Sequence, residues 1–238
     1  MVTETLTHHL LELRGRLLRV LVFFLIVFLA LISFANQLYA LFAQPLLVAL
    51  PAGSQMIATD VASPFLTPFK LTAVVSAFII MPYCFYEIWA FTAPGLYRQE
   101  KKWLISLLLS SICLFYIGMA FAYWAVFPVM FQFFSLASPE GVSYTPDIAT
   151  FLNTCIKLFF AFGFAFEIPV ICVLLIQKRV YSAEALAQKR PFIFIGCFIL
   201  GMLLTPPDPV SQIMMAIPIW LLFEVGLLIG KQLEKVSH

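Results

Sequence analysis

Six apolar runs separated by short polar segments set the plan of this sequence. The first extends from Leu17 to Ala35 and carries one charge, Arg19, near its start. A helix over this run, rising about 1.5 Å per residue, is long enough to cross a ~30 Å hydrocarbon layer. A second run covers Phe69 to Phe91, interrupted by Pro82. A third covers Trp103 to Phe127, with room to continue past Pro128 to Phe134. The fourth, Phe151 to Ile176, holds Lys157, Glu167 and Pro169. The fifth, Phe192 to Thr205, has only about 14 residues, or roughly 21 Å of helix. After a Pro206-Pro207-Asp208-Pro209 turn, the sixth runs from Gln212 to Gly230 and contains Pro218 and Glu224. The last pair is therefore expected to form a shallow hairpin, where the bilayer thins or neighbouring helices shield it.

Between the first two runs, Asn36 to Pro68 holds Pro45, Pro51, Pro64 and Pro68, which argues against a continuous spanning helix. That segment reads as a loop, with Gln37 to Leu50 apolar enough for a short helix on the membrane surface or against the bundle. Ser33-Phe34-Ala35 has the small-residue spacing of a signal-peptidase site. The apolar stretch before it is longer than a usual signal core and further spans follow, so it reads as a retained span. The expectation is an all-α polytopic membrane protein, one transmembrane domain over residues 1–238. Its spans fall at about 17–35, 69–91, 103–127, 151–176, 192–205 and 212–230, the last two short.

Composition removes the soluble alternative. The chain is 63% hydrophobic and 11% charged, against roughly 25% charged residues in soluble domains, so most of its surface must face lipid. The net charge of +2 comes with no long basic run, which sets nucleic acid aside as a partner. Cys84, Cys113, Cys155, Cys172 and Cys197 are scattered singly, and His8, His9 and His238 lie outside the apolar runs. Neither pattern supplies metal ligands, and no metal or other cofactor is expected.

Charge does fix an orientation. Twelve of the 14 lysines and arginines precede or open the first run, or follow the second, the fourth or the sixth. Lys70 and Lys157, near the outer ends of spans, can snorkel. The opposite loops carry Asp60, Glu140, Asp147 and Asp208 and no basic residue. Basic loops stay in the cytoplasm, so both termini are expected there.

There is no Ser/His/Asp set, Gly-rich phosphate loop or His-Glu-x-x-His, so an enzyme is not expected. Among acids inside the runs, Glu167 is the sharpest, two residues before Pro169 and deep in the fourth run. It reads either as a protonated carboxyl bonded inside the bundle or as a polar point in a groove or path. His8 to Leu17, read as a helix, lines up Leu10, Leu13 and Leu17 and pairs Glu12 with Arg16 at i,i+4. On pattern alone this is equally an amphipathic segment at the headgroups, and Glu100 equally a solvated carboxylate. A small ion-coupled transporter or channel built on Glu167 is the alternative from another class. It should show paired repeats and several midplane polar groups, and only Glu167 reads as deep.

Four ordered motifs give a sharper reading: His9-Leu10-Leu11-Glu12-Leu13-Arg14; the stretch from Phe91 through Pro94, Leu96 and Glu100 to Lys101; Phe162-Gly163 with Phe166-Glu167-Ile168-Pro169; and Leu204-Thr205-Pro206-Pro207-Asp208 with Ser211-Gln212. Together, over essentially the whole chain, they resemble the TatC family, the multi-spanning subunit of the twin-arginine protein translocase. The resemblance implies a receptor and core scaffold, in the bacterial inner membrane, that binds twin-arginine signal peptides of folded cargo at the cytoplasmic face. It implies that Glu12, Arg14, Phe91, Pro94, Leu96 and Glu100 serve signal-peptide binding. It likewise implies that Glu167 and Gln212 are polar positions of a concave intramembrane face, and that Pro45 and Asp208 act on the outer side. Implied partners are TatA-like and TatB-like single-span proteins and further copies of the chain, with the proton motive force driving transport. Paired carboxylates suit that role, because each can bind a guanidinium through two charge-assisted bonds where an ammonium offers a point charge.

Overall fold

A computed structural model of the chain describes residues 2–49, 56–92, 101–136, 145–204 and 209–236. Among these the fold is helical, with one isolated bridge between Ile57 and Asp147. The helices are α1 (Val2–Leu31), α2 (Ala35–Ala49), α3 (Ser63–Thr92), α4 (Lys101–Phe121), α5 (Phe127–Leu136), α6 (Ile148–Ala165), α7 (Ile168–Gln177), α8 (Ala183–Gln188), α9 (Arg190–Leu204) and α10 (Pro209–Val236). Five helical stretches are long and apolar enough to cross a membrane: Leu11–Gln44, Ser63–Phe91, Ile105–Leu136, Ile148–Gln177 and Gln212–Glu234. Arg190–Leu203 is a shorter apolar helix. The chain forms two compact units, Met1–Gln44 with Ala58–Ile112, and Pro45–Ile57 with Cys113–His238.

In the first unit α1 packs on α3. Leucines and isoleucines along α1, among them Leu21, Ile26 and Leu29, are exposed, as lipid-facing positions must be. The short helix expected over Gln37 to Leu50 is present as α2, and a 3₁₀ turn at Ile32–Phe34 carries α1 directly into it, so no loop separates the two at Asn36. The second apolar helix also starts earlier, at Ser63 rather than Phe69. Proline in a first helical turn removes only N–H groups that would lack an intrahelical acceptor anyway, which accommodates Pro64. Inside α3, Thr72 Oγ1 donates to the Pro68 carbonyl at 2.8 Å and Ser76 Oγ to the Thr72 carbonyl at 2.7 Å. These bonds satisfy buried hydroxyls without help from another helix.

In the second unit the third apolar run continues through Pro128 to Leu136, by way of a π-helical turn at Ala122–Val126. The crossing of α4 with α6 is close: Gly118 lies against the Phe162 backbone and Gly163 against the Phe115 ring. Small residues at such a crossing let two helix backbones approach within a membrane. Asp147 caps α6, its carboxylate accepting from Thr150 N and Thr150 Oγ1, both at 2.9 Å. Helix α10 packs on α7, α8 and α9, and Cys172, Ile176, Ala183, Leu186, Phe223 and Leu227 form one buried cluster there.

One expectation fails here. Of the last two helices only α9 is short, at 15 residues; α10 has 28. Its apolar run ends near Lys231, but the helix continues because Glu234 has a structural task. Its Oε2 accepts from the Ala183 backbone N–H at 3.2 Å, at the N-terminus of α8.

Candidate functional site

The first unit contains a compact charged cluster where the middle of α1 meets the last turns of α3. At its centre is Glu87, 6% exposed. Its Oε2 accepts from Arg16 Nη1 at 2.6 Å and from Arg19 Nη2 at 3.2 Å. Its Oε1 accepts from Arg19 Nε at 3.0 Å and from the Tyr83 hydroxyl at 2.7 Å. Arg16 and Arg19 reach the same acid because residues three apart share a helix face, and Tyr83 lies one turn before Glu87 on α3. A carboxylate taken out of water needs this number of donors; removing a buried pair's partner typically costs about 3–5 kcal/mol.

Arg16 carries the cluster outward. Its Nε and Nη2 donate to Glu12 Oε1 at 3.1 and 2.7 Å, and its guanidinium also reaches the carbonyls of Glu87 at 3.5 Å and Ala90 at 3.3 Å. The i,i+4 pair anticipated between Glu12 and Arg16 is therefore present, as one arm of a larger arrangement. Two carboxylates and two guanidiniums balance in charge. Glu12 is the more exposed acid, at 29%.

Of the other residues singled out from sequence in this unit, Arg14 is exposed on α1 and Phe91 is half-buried, one turn beyond Glu87 on α3. Pro94, Leu96 and Glu100 lie outside the described residues. Glu12 and Phe91 thus come to the same end of the α1–α3 pair.

In the second unit, Glu167 sits at a break between α6 and α7 and is 7% exposed. The break follows from Pro169, which lacks the N–H that would bond the Ala165 carbonyl. The chain turns instead through Phe166 N to the Phe162 carbonyl at 3.0 Å and Glu167 N to the Phe164 carbonyl at 3.1 Å. Gln212, at the start of α10, donates from Nε2 to the Phe198 carbonyl of α9 at 3.0 Å. It also lines a groove with Phe194, Ile195, Phe198, Ile199 and Met202. Glu167 and Gln212 thus stand on different elements with different local tasks. Pro45 lies within α2, and Asp208 lies outside the described residues.

Two charged groups were given no role from the sequence: Glu87, and Glu224, noted only as lying in the sixth run. Glu87 lies inside the second apolar run, so Glu167 is not alone among acids in the spans. A visible signal was an acid one turn from Tyr83, together with Arg16 and Arg19 three apart around the start of the first apolar run. Glu224 is the second: its Oε1 and Oε2 accept from Arg190 Nε and Nη2, both at 2.7 Å, a two-bond fork between α9 and α10. Among the described residues no group of three or more His, Cys, Asp or Glu could hold a metal ion.

Five long apolar helices and a shorter one, with carboxylate–guanidinium ties between helices, define a multi-pass α-helical membrane protein. The profile described as Sec-independent protein translocase protein (TatC) matches residues 8–218. A Sec-independent protein translocase protein TatC from Azotobacter chroococcum mcd 1 is 51% identical over 96% of this chain and 90% of its own length. The protein of that name from Escherichia coli strain K12 is 50% identical over 96% and 89%. A crystal structure of a twin arginine translocase receptor TatC superposes with a TM-score of 0.81 at 34% identity, covering 94% of this chain and 98% of the other. The chain belongs to the TatC family of Sec-independent protein translocase proteins.

Proposed function

We propose that this chain is the receptor and core scaffold of twin-arginine protein export, binding signal peptides with paired arginines at its cytoplasmic face. The observation that carries this reading is the Arg16 guanidinium. It bonds Glu12 in the first motif and Glu87 and Ala90 on the helix that leads into the second. The segment around Glu12 is thereby held beside the end of α3, where Phe91 begins the stretch containing Pro94, Leu96 and Glu100. In this reading Glu12 and Glu100 bind the incoming guanidiniums, with Arg14, Phe91, Pro94 and Leu96 shaping the surface around them. Glu167 and Gln212 serve as polar points of an intramembrane face, and Pro45 and Asp208 act on the outer side.

The chain works as a single transmembrane domain of six spans in a bacterial inner membrane, both termini cytoplasmic, in keeping with the distribution of Lys and Arg. It assembles with TatA-like and TatB-like single-span proteins and with further copies of itself, and the proton motive force drives transport. It performs no bond-making or bond-breaking chemistry.

The test is peptide affinity of the detergent-solubilised protein. A twin-arginine peptide should bind, and its Lys-Lys version should bind far less, because an ammonium cannot make the two-bond contact. Glu12→Lys and Glu100→Lys should each weaken binding by roughly ten- to a hundredfold, the lower end for charge pairs broken in a partly wet site. Unchanged affinity in both variants, at normal membrane levels, refutes the site.

A further inference from the structure

We propose that Glu87 is a positioning residue for signal-peptide binding, one that sets how far the Glu12 carboxylate is available to an incoming guanidinium. The inference rests on the reading of Glu12 given above. Its starting point is that Glu12 is already engaged by a guanidinium of its own chain. Arg16 places two N–H groups on Glu12 Oε1, the same donors a signal arginine would offer. Binding is therefore an exchange, in which the newcomer shares or takes Glu12 and Arg16 gives ground.

What Arg16 retains in that exchange is supplied by Glu87. Its Nη1 stays on Glu87 Oε2 at 2.6 Å, and the carbonyls of Glu87 and Ala90 lie within reach of the same guanidinium. Glu87 also holds Arg19 through both carboxylate oxygens. With Glu87 ionised the cluster is neutral before a cationic peptide arrives. Without that charge two arginines face one carboxylate. Arg16 then leans wholly on Glu12, and a net positive charge meets the incoming pair of cations. Along the path from Glu87 through Arg16 to Glu12 exposure rises: Glu87 is almost fully enclosed, Arg16 less so at 16%, and Glu12 is more open at 29%. Glu87 acts from beneath, on Glu12 through Arg16.

The experiment measures binding of a labelled twin-arginine peptide to full-length protein in detergent. The variants are Glu87→Gln, Glu87→Asp, Arg16→Gln, Glu12→Gln and the doubles Glu12→Gln/Glu87→Gln and Arg16→Gln/Glu87→Gln. Glu87→Gln should weaken binding by about three- to tenfold, the size expected when one charge bordering an ionic contact is lost. In the Glu12→Gln background the Glu87 change should have no further effect, and in the Arg16→Gln background it should likewise add nothing, because Glu87 acts through Arg16. Purely structural damage would instead add to the Glu12 and Arg16 effects, and such additivity overturns the proposal. Glu87→Asp keeps the charge and should retain affinity; a loss as large as that of Glu87→Gln overturns the proposal too. If Glu12→Gln weakens binding and Glu87→Gln does not, the positioning role alone falls. If Glu12→Gln has no effect, the reading of Glu12 falls and this inference with it.

Discussion

Replacing Gly118 by alanine tests the close helix crossing in the second unit. A Cβ at this position would overlap the Phe162 carbonyl oxygen and lie 2.9 Å from the Phe162 carbonyl carbon and 3.0 Å from Phe166 Cδ2. The oxygen and carbon are backbone atoms of α6, so no rotamer change relieves the overlap and one helix must move. Overpacking of this kind costs about 1–3 kcal/mol. Alanine also brings a gain of about 0.8–1 kcal/mol over glycine in helix propensity. Gly196 on α9 separates the two terms, because a Cβ there meets nothing within 4 Å. Gly196→Ala should then show the gain alone, and the difference between the variants should equal the packing cost of about 1–3 kcal/mol. The assay is denaturant unfolding in mild detergent followed by tryptophan fluorescence, comparing midpoints at equal slope. Equal or greater stability for Gly118→Ala than for Gly196→Ala refutes the argument. A local effect should accompany the global one: the Phe162 carbonyl accepts from Phe166 N in the turn that presents Glu167, so peptides around this turn should exchange hydrogen faster in Gly118→Ala.

Two further outcomes follow from charge. Reporter domains fused after Ser138 should be found on the outer face and those after Lys189 on the inner one, as the basic residues require; a cytoplasmic reporter at Ser138 contradicts the six-span arrangement. Arg190→Ala should lower unfolding stability by only about 0.5–1 kcal/mol, since the guanidinium is 44% exposed and water screens the fork with Glu224; a loss above about 3 kcal/mol would mean the pair behaves as a buried one.

The six apolar runs were legible because lipid demands long stretches without charge, and a helix is the structure that satisfies its own backbone there. Helix ends were less legible. Pro64 and Pro68 read as breakers, yet Pro64 falls in the first turn of α3, where a missing N–H costs little, and Pro68 lies inside the helix without ending it. The end of α10 was hidden because Lys231 and Glu234 look like the start of a tail, while Glu234 is bonded to the head of α8. Glu12 was marked by resemblance and by its spacing from Arg16. Glu87 was not, because its two guanidinium partners lie 68 and 71 positions earlier in the chain, and no periodicity within one helix reports a contact of that span.

The shortness of α9 also has an electrical side. Its 15 residues make about 22 Å of helix, against a hydrocarbon core of ~30 Å. Where lipid thins to meet α9, the membrane voltage drops over the smaller distance. Moving one elementary charge across 100 mV is worth about 2.3 kcal/mol, so a displacement of about 10 Å along the normal is worth about 1.0 kcal/mol beside α9 and about 0.8 kcal/mol elsewhere. The side of the protein bearing α9 is therefore the side on which a given voltage does most work on a charge that moves.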